Sequence, residues 1–169
     1  MTPIYASSTY EQESPGVHKG YEYSRTSNPT RKALEVCIAD LEGGDSGFAF
    51  ASGMAATSTI LELLNTGDHV VASDDLYGGT YRLMEDVRKR TSSLDFSFVD
   101  FSDVNNILKE IKSNTKMLWL ETPSNPLLKV TDLQAVSSAI NDKNIIKVCD
   151  NTFSSCLLYT SPSPRDSFR

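Results

Sequence analysis

From Pro29 onward, short apolar runs alternate with segments whose apolar residues recur at helical spacing. That alternation restricts the fold more than any other feature of the chain. Leu34, Cys37, Ile38 and Leu41 fall on one face of a helix that Thr30 is placed to cap and Gly43-Gly44 to end. A strand is expected over Gly47–Phe50. A helix should follow over Gly53–Leu64, with Ala56, Ile60, Leu63 and Leu64 inward and Asn65-Thr66-Gly67 as its breaker. Strands are then expected at His69–Ser73, Phe96–Val99, Met117–Glu121 and Ile145–Cys149. Between them lie helices at Tyr81–Arg90, around Val104, Ile107, Leu108 and Ile111, and around Leu133, Val136 and Ile140. Strands separated by helices of about ten residues make βαβ units, so the expected class is α/β with a mostly parallel sheet. Residues 1–29 lack this periodicity. Punctuated by Pro3, Pro15, Gly16, Gly20 and Pro29, they read as an extended arm.

Composition excludes several classes. The chain has 169 residues, 39% of them hydrophobic, enough for one domain with a core. Its net charge of −6 argues against binding nucleic acid or anionic membrane through bulk charge. Apolar runs reach only about four to six residues, against about 20 for a membrane span. No charged-then-apolar leader opens the chain. Three cysteines, Cys37, Cys149 and Cys156, form no CxxC pair, which favours a reducing, cytoplasmic setting over a disulfide scaffold. His18 and His69 are not spaced as metal ligands, so no metal site is expected, and His69 reads as structural. Glu85, Asp86, Arg88, Lys89 and Arg90 read as a solvated helix face.

In parallel sheets, ligands bind beyond the carboxyl ends of the strands, so the loops there carry the functional candidates. Ser52-Gly53-Met54 opens a helix, where free N–H groups and the helix dipole suit an anion such as phosphate; Ser52 serves equally as a plain cap. The segment matches neither GxGxxG nor GxxxxGK[ST], against a nucleotide-binding domain. Asp150, at the end of an apolar strand, either pairs with a protonated ring nitrogen or caps the next turn. Tyr77, beside Gly78-Gly79, is either a platform for a planar ligand or an ordinary loop tyrosine. Tyr23 and Arg25 offer a hydroxyl and a planar fork of donors suited to phosphate, or a solvated loop pair. Asn125, held between two prolines, either bonds a ligand's ring oxygen or forms a turn.

Taken together, five segments carry a resemblance. They are residues 21–31 (Tyr-Glu-Tyr-Ser-Arg-Thr-Ser-Asn-Pro-Thr-Arg), 50–56 (Phe-Ala-Ser-Gly-Met-Ala-Ala) and 75–80 (Asp-Leu-Tyr-Gly-Gly-Thr), then 121–126 (Glu-Thr-Pro-Ser-Asn-Pro) and 150–153 (Asp-Asn-Thr-Phe). In order and spacing the chain resembles the pyridoxal 5'-phosphate enzymes of cysteine and methionine metabolism, cystathionine γ-synthase, cystathionine γ-lyase and their relatives. The resemblance runs from Thr2 to about Ser155 and implies part of the large domain of a fold-type I, aspartate aminotransferase-like enzyme. It implies α,γ-elimination or γ-replacement on sulfur amino acids. The cofactor phosphate would lie on Ser52 and the N–H groups of Gly53 and Met54, and Tyr77 would stack on the ring and take part in proton transfer. Asp150 would hold the ring nitrogen, Asn125 the phenolic oxygen, and Thr152 the ring's other face. Tyr23 and Arg25 would reach the phosphate of a neighbouring subunit in a homo-oligomer, a dimer of dimers. The domain reading is an arm over 1–29, a partial cofactor domain over 30–155, and a tail over 156–169.

The chain also departs from that family. The lysine that would join the cofactor as a Schiff base is expected some way past the Asp-Asn-Thr-Phe segment, yet the last lysine is Lys147. The carboxyl-terminal domain is missing as well, so the 169 residues as written are expected to be catalytically inert, a phosphate-binding or misfolded fragment. Residues 156–169 fit no continuation of the family and look like a sequencing-library adapter translated in frame. Family members carry a further stretch before Thr2-Pro3-Ile4-Tyr5, so Met1 reads as an internal methionine.

Overall fold

Five parallel strands were expected; four form the sheet. The computed structural model describes residues 2–140 and 144–154, which fall into two compact units, one within Met1–Ala51 and one within Ser52–Arg169. The expected tail at 156–169 lies outside the described residues. No helix among those described is long and apolar enough to cross a membrane.

The amino-terminal unit holds a small antiparallel hairpin, β1 (Gln12–Ser14) and β2 (Val17–His18), and the helix α1 (Pro29–Glu42). The arm is tied down by polar side chains. The Asn28 amide donates to the Tyr5 carbonyl (3.0 Å), the Tyr10 hydroxyl (2.9 Å) and the Ser24 hydroxyl (2.9 Å). Its carbonyl oxygen accepts from the N–H groups of Thr30 and Arg31, so Asn28, and not Thr30, caps α1. Thr30 is engaged elsewhere: its hydroxyl accepts from Tyr5 N–H and donates to the Pro3 carbonyl. Pro29 follows the cap, where its missing N–H costs nothing. Arg31 donates to the carbonyls of Ser24, Arg25 and Thr26, holding the turn that carries Arg25. Gly43 ends α1 in the left-handed conformation, as expected. The predicted strand at Gly47–Phe50 does not form. Its Ala49 N–H goes to the Glu35 carboxylate, and a Cβ at Gly47 would sit 2.2 Å from the Glu35 carbonyl oxygen. Four alternating residues with no ladder partner do not specify a strand.

The second unit is a three-layer α/β arrangement. Its strands β3 (His69–Ser73), β4 (Asp95–Val99), β5 (Thr115–Glu121) and β6 (Ile146–Asp150) pair in parallel in the order β4-β3-β5-β6. Because side chains alternate across a strand, the sheet buries two separate clusters. Val70, Ala72, Met117 and Trp119 pack with Leu61 and Met84 on one face. Val71, Leu118 and Leu120 pack with Ile107, Val136 and Ile140 on the other. The helices supplying those residues are α2 (Gly53–Leu61) and the helical run around Met84, then α5 (Val104–Glu110) and α6 (Leu133–Ala139). The run around Met84 consists of α3 (Gly78–Arg82), a π-helical turn (Leu83–Arg88) and α4 (Lys89–Thr91).

Of two expectations about charged and titratable groups, one changes here and one holds. Arg88 is not on a solvated face: its guanidinium donates to the Ser58 hydroxyl (2.9 Å) and to the Glu62 carboxylate, tying the π-helical turn to α2. His69 is fully buried and structural, its ring nitrogens bonded to the hydroxyls of Thr115 (2.8 Å) and Ser97 (3.0 Å).

Candidate active site

Four loop or helix starts at the carboxyl end of the sheet meet around one cleft of about 370 Å³. The first is the start of α2. The Ser52 hydroxyl accepts from Ala55 N–H (3.1 Å), which fixes the cap. Gly53 and Met54 occupy the first turn, where N–H groups have no intrahelical acceptor and the dipole is positive. The expected cap and the expected anion site are therefore the same piece of structure.

The second element follows β3. Tyr77 precedes α3 with its ring half-exposed in the cleft. Gly79 makes room for that ring: a Cβ there would lie 2.4 Å from Tyr77 Cε1 and 3.1 Å from Met54 Sδ. The Tyr77 N–H donates to the carboxylate of Glu121 at 2.9 Å. Glu121 ends β5, is only 5% exposed, and lines the cleft. Burial pushes its carboxyl above the ordinary range; the carboxylates of Asp150 and Asp75 add to the rise, while the N–H groups of Tyr77 and Asn125 oppose it.

The third element, after β5, carries Asn125 into the cleft. The fourth is the end of β6. Asp150 is its last residue, not a residue beyond it, and is half-buried because β6 is an edge strand with Ile146, Lys147 and Cys149 exposed. Asp150 Oδ1 accepts from Thr152 N–H (3.1 Å) and from the Thr152 hydroxyl (2.6 Å). It thus caps the following turn and lines the cleft at once, with Thr152 beside it. Glu121 and Asp150 are direct register partners of β5 and β6, so two carboxylates stand side by side at the strand ends.

Seven expected residues, Ser52, Gly53, Met54, Tyr77, Asn125, Asp150 and Thr152, therefore line one cleft. Tyr23 and Arg25 belong to the amino-terminal unit, where the Arg25 guanidinium lies over the Tyr23 ring at 5.2 Å.

The model of the Cys/Met metabolism PLP-dependent enzyme family matches residues 1–162. The chain belongs to this family. A cystathionine beta-lyase of Coxiella burnetii is 63% identical over 158 residues, 94% of this chain and 41% of that protein. A cystathionine gamma-lyase of Bacillus subtilis is 50% identical over 151 residues, 89% of this chain and 40% of that protein. The crystal structure of cystathionine gamma-lyase from Lactobacillus plantarum, complexed with L-serine, superposes with a TM-score of 0.85 at 45% identity, covering 91% of this chain and 40% of that one. The chain thus spans about two fifths of the length of these relatives. The α/β fold and the trans-sulfuration family expected from the sequence both hold, and the family depends on pyridoxal phosphate.

Four residues that line the cleft, Thr57, Thr80, Glu121 and Phe153, are not among the site candidates read from the sequence, nor is Gly79 beneath the Tyr77 ring. Glu121 enters the sequence reading as the end of a strand and the first residue of the 121–126 segment, with no role of its own, although a carboxylate closing an apolar strand is the same signal that singles out Asp150. Gly79 enters it only within the 75–80 segment, as a neighbour of Tyr77; the small residue two positions on is what lets the ring lie down.

Proposed function

We propose that this chain is the cofactor-binding part of a pyridoxal-phosphate-dependent carbon–sulfur lyase acting on cystathionine or a close sulfur amino acid. The observation that supports this reading is the pairing within one cleft of a helix start with a carboxylate pair. The residues fit the cofactor from end to end. The first turn of α2 offers N–H groups and positive dipole to an anionic tail. Asp150, with Glu121 beside it, offers negative charge to a protonated ring nitrogen. The Tyr77 ring offers a flat apolar face, with Gly79 keeping it in place. Asn125 offers an amide donor to a ring oxygen.

When bound, the protonated ring supplies an electron sink for the substrate carbon that gives up a proton. Asp150 would keep the ring nitrogen in its protonated form, because an anionic partner favours the charged state. The hydroxyl of Tyr77, a half-exposed residue lining the cleft, is assigned to proton transfer with the substrate. Tyr23 and Arg25 are assigned to the phosphate in a neighbouring subunit, which makes the working protein a homo-oligomer with an arm over residues 1–29. Residues 30–155 form the cofactor domain in this reading and residues 156–169 its tail, although the family match runs on to residue 162.

Identity of 63% to a cystathionine beta-lyase favours elimination over the replacement chemistry of a synthase, the other activity the resemblance implied. The whole protein is to be given cystathionine, and separately O-succinylhomoserine with cysteine. Pyruvate with homocysteine marks β-elimination, and 2-oxobutyrate with cysteine marks γ-elimination. Cystathionine formed from the second pair marks the synthase. No product from either arm refutes the reading. Amplifying the source locus across residues 150–169 tests the tail.

A further inference from the structure

The two loops that carry Tyr77 and Asn125 are joined twice, in opposite directions. From the β5 side, Glu121 reaches across and accepts the N–H of Tyr77, 44 positions earlier in the chain. From the β3 side, Asp75 reaches back. It is buried, and its Oδ2 accepts from the Ser124 hydroxyl and from Leu127 N–H (3.0 Å). Ser124 is itself 1% exposed, and its hydroxyl also accepts from Lys129 N–H (2.8 Å), which closes the loop on itself. Each strand end therefore donates one carboxylate to hold the other strand's loop. β3 and β5 are adjacent, but their ladder pairing stops at Ala72 and Trp119, so beyond it these bonds set how the two loops stand. Charged acceptors make such bonds about twice as strong as neutral pairs, and burial keeps water from competing.

We propose that Glu121 and Asp75 form a reciprocal clasp that fixes the Tyr77 ring and the Asn125 amide relative to each other, making both carboxylates positioning residues of the cofactor site. The inference rests on the cofactor reading of the cleft. A bound planar ring gains from Tyr77 and Asn125 only if both are already in place, because ordering them on binding costs affinity. Burial of two carboxylates with no cationic side-chain partner among the described residues is unfavourable for the fold alone, which points to a role in the site.

The test uses the whole protein freed of cofactor, with pyridoxal phosphate as the probe. Hydrogen exchange over residues 76–80 and 124–128 reports the two loops separately, and equilibrium titration reports affinity. Glu121→Ala should speed exchange over 76–80 and weaken binding by about tenfold, while Glu121→Gln, which keeps an acceptor, should restore both to within about twofold. Ser124→Ala, which removes one Asp75 bond together with the Lys129 N–H bond, should speed exchange over 124–128 and weaken binding by about threefold. Exchange unchanged in Glu121→Ala, or affinity lost equally in Glu121→Ala and Glu121→Gln, overturns the clasp. If Glu121→Ala does not fold, Ser124→Ala decides alone: unchanged exchange and affinity refute the proposal. If the unmodified protein takes up no pyridoxal phosphate, the cofactor reading fails, whereas the exchange rates still judge the clasp.

Discussion

Gly79→Ala separates the stability of the fold from the readiness of the site. Gly79 is a helical residue of α3, so an alanine there has no backbone objection and gains up to about 1 kcal/mol in helix propensity. Its Cβ would nonetheless sit 2.4 Å from Tyr77 Cε1 and 3.1 Å from Met54 Sδ, closer than carbon atoms tolerate. Tyr77 is 48% exposed, so its ring has somewhere to go, and it gives way before the backbone does. The two effects on stability offset, and the expected net change is within about 1 kcal/mol. Affinity for pyridoxal phosphate carries the loss. An aromatic contact contributes about 0.5–1.5 kcal/mol beyond burial, so dissociation constants should rise between about twofold and about tenfold. Trp119, the chain's one tryptophan, sits two residues before Glu121 and reports binding by quenching of its emission. Gly78→Ala is the control. Its Cβ would meet only the flexible end of Arg82, at 3.2 Å, and binding should change by less than about twofold. Unchanged affinity in Gly79→Ala, or a melting temperature lowered by many degrees, would refute the argument that the ring is the part that yields.

Three further perturbations test other links. Burial first, and the Lys112 cation second, hold the His69 imidazole below its ordinary value of 6.5. The unfolded chain therefore takes up that proton first, stability falls as pH drops below about 6.5, and the fall in urea midpoint should shrink in His69→Gln; an identical fall excludes His69 as its source. Asn28→Ala removes the cap of α1 and the anchor of the arm, so about 1–2 kcal/mol should be lost and proteolysis within residues 2–28 should quicken, with unchanged cleavage contradicting the anchor. Asp150→Asn removes one of the charges that raise Glu121. A raised carboxyl loses stability as pH rises through its folded value, so the cofactor-free variant should lose less than the parent between acid and neutral pH while binding pyridoxal phosphate far more weakly; equal pH profiles would sink this.

How much of this was legible in the sequence depends on how local each signal is. The strands at His69–Ser73 and Thr115–Glu121 announced themselves because both sheet faces are covered, leaving continuous apolar runs. Asn28 was harder to see as a cap, because Thr30 is an equally good capping residue. What decided it was that Thr30 already bonds Tyr5 and Pro3, some 25 positions away. Leu34, Ile38 and Leu41 did form the expected helical stripe, yet they are exposed, since periodicity reports a face to be covered and not what covers it. The site residues were legible for a topological reason: in parallel sheets the loops after the strands converge, so short segments far apart in sequence can be read as one place.

Glu121 escaped that reading although it stands nearest to the chemistry of Asp150. Like charges directly opposite in a sheet are destabilising, and burial of one of them makes the arrangement worse. A sequence shaped by stability alone would replace one carboxylate by an apolar residue, as β5 does at every other buried inward position from Met117 to Leu120. The pair is tolerable where a cationic group lies against both, and the fold itself supplies partial charges, the N–H groups of Tyr77 and Asn125 to Glu121 and that of Thr152 to Asp150. On the proposed cofactor reading, a ligand with a protonated nitrogen would offset the local cost at the end of β5. The same residue that offends the rules of a strand is the one that ties the ring-bearing loop to the sheet.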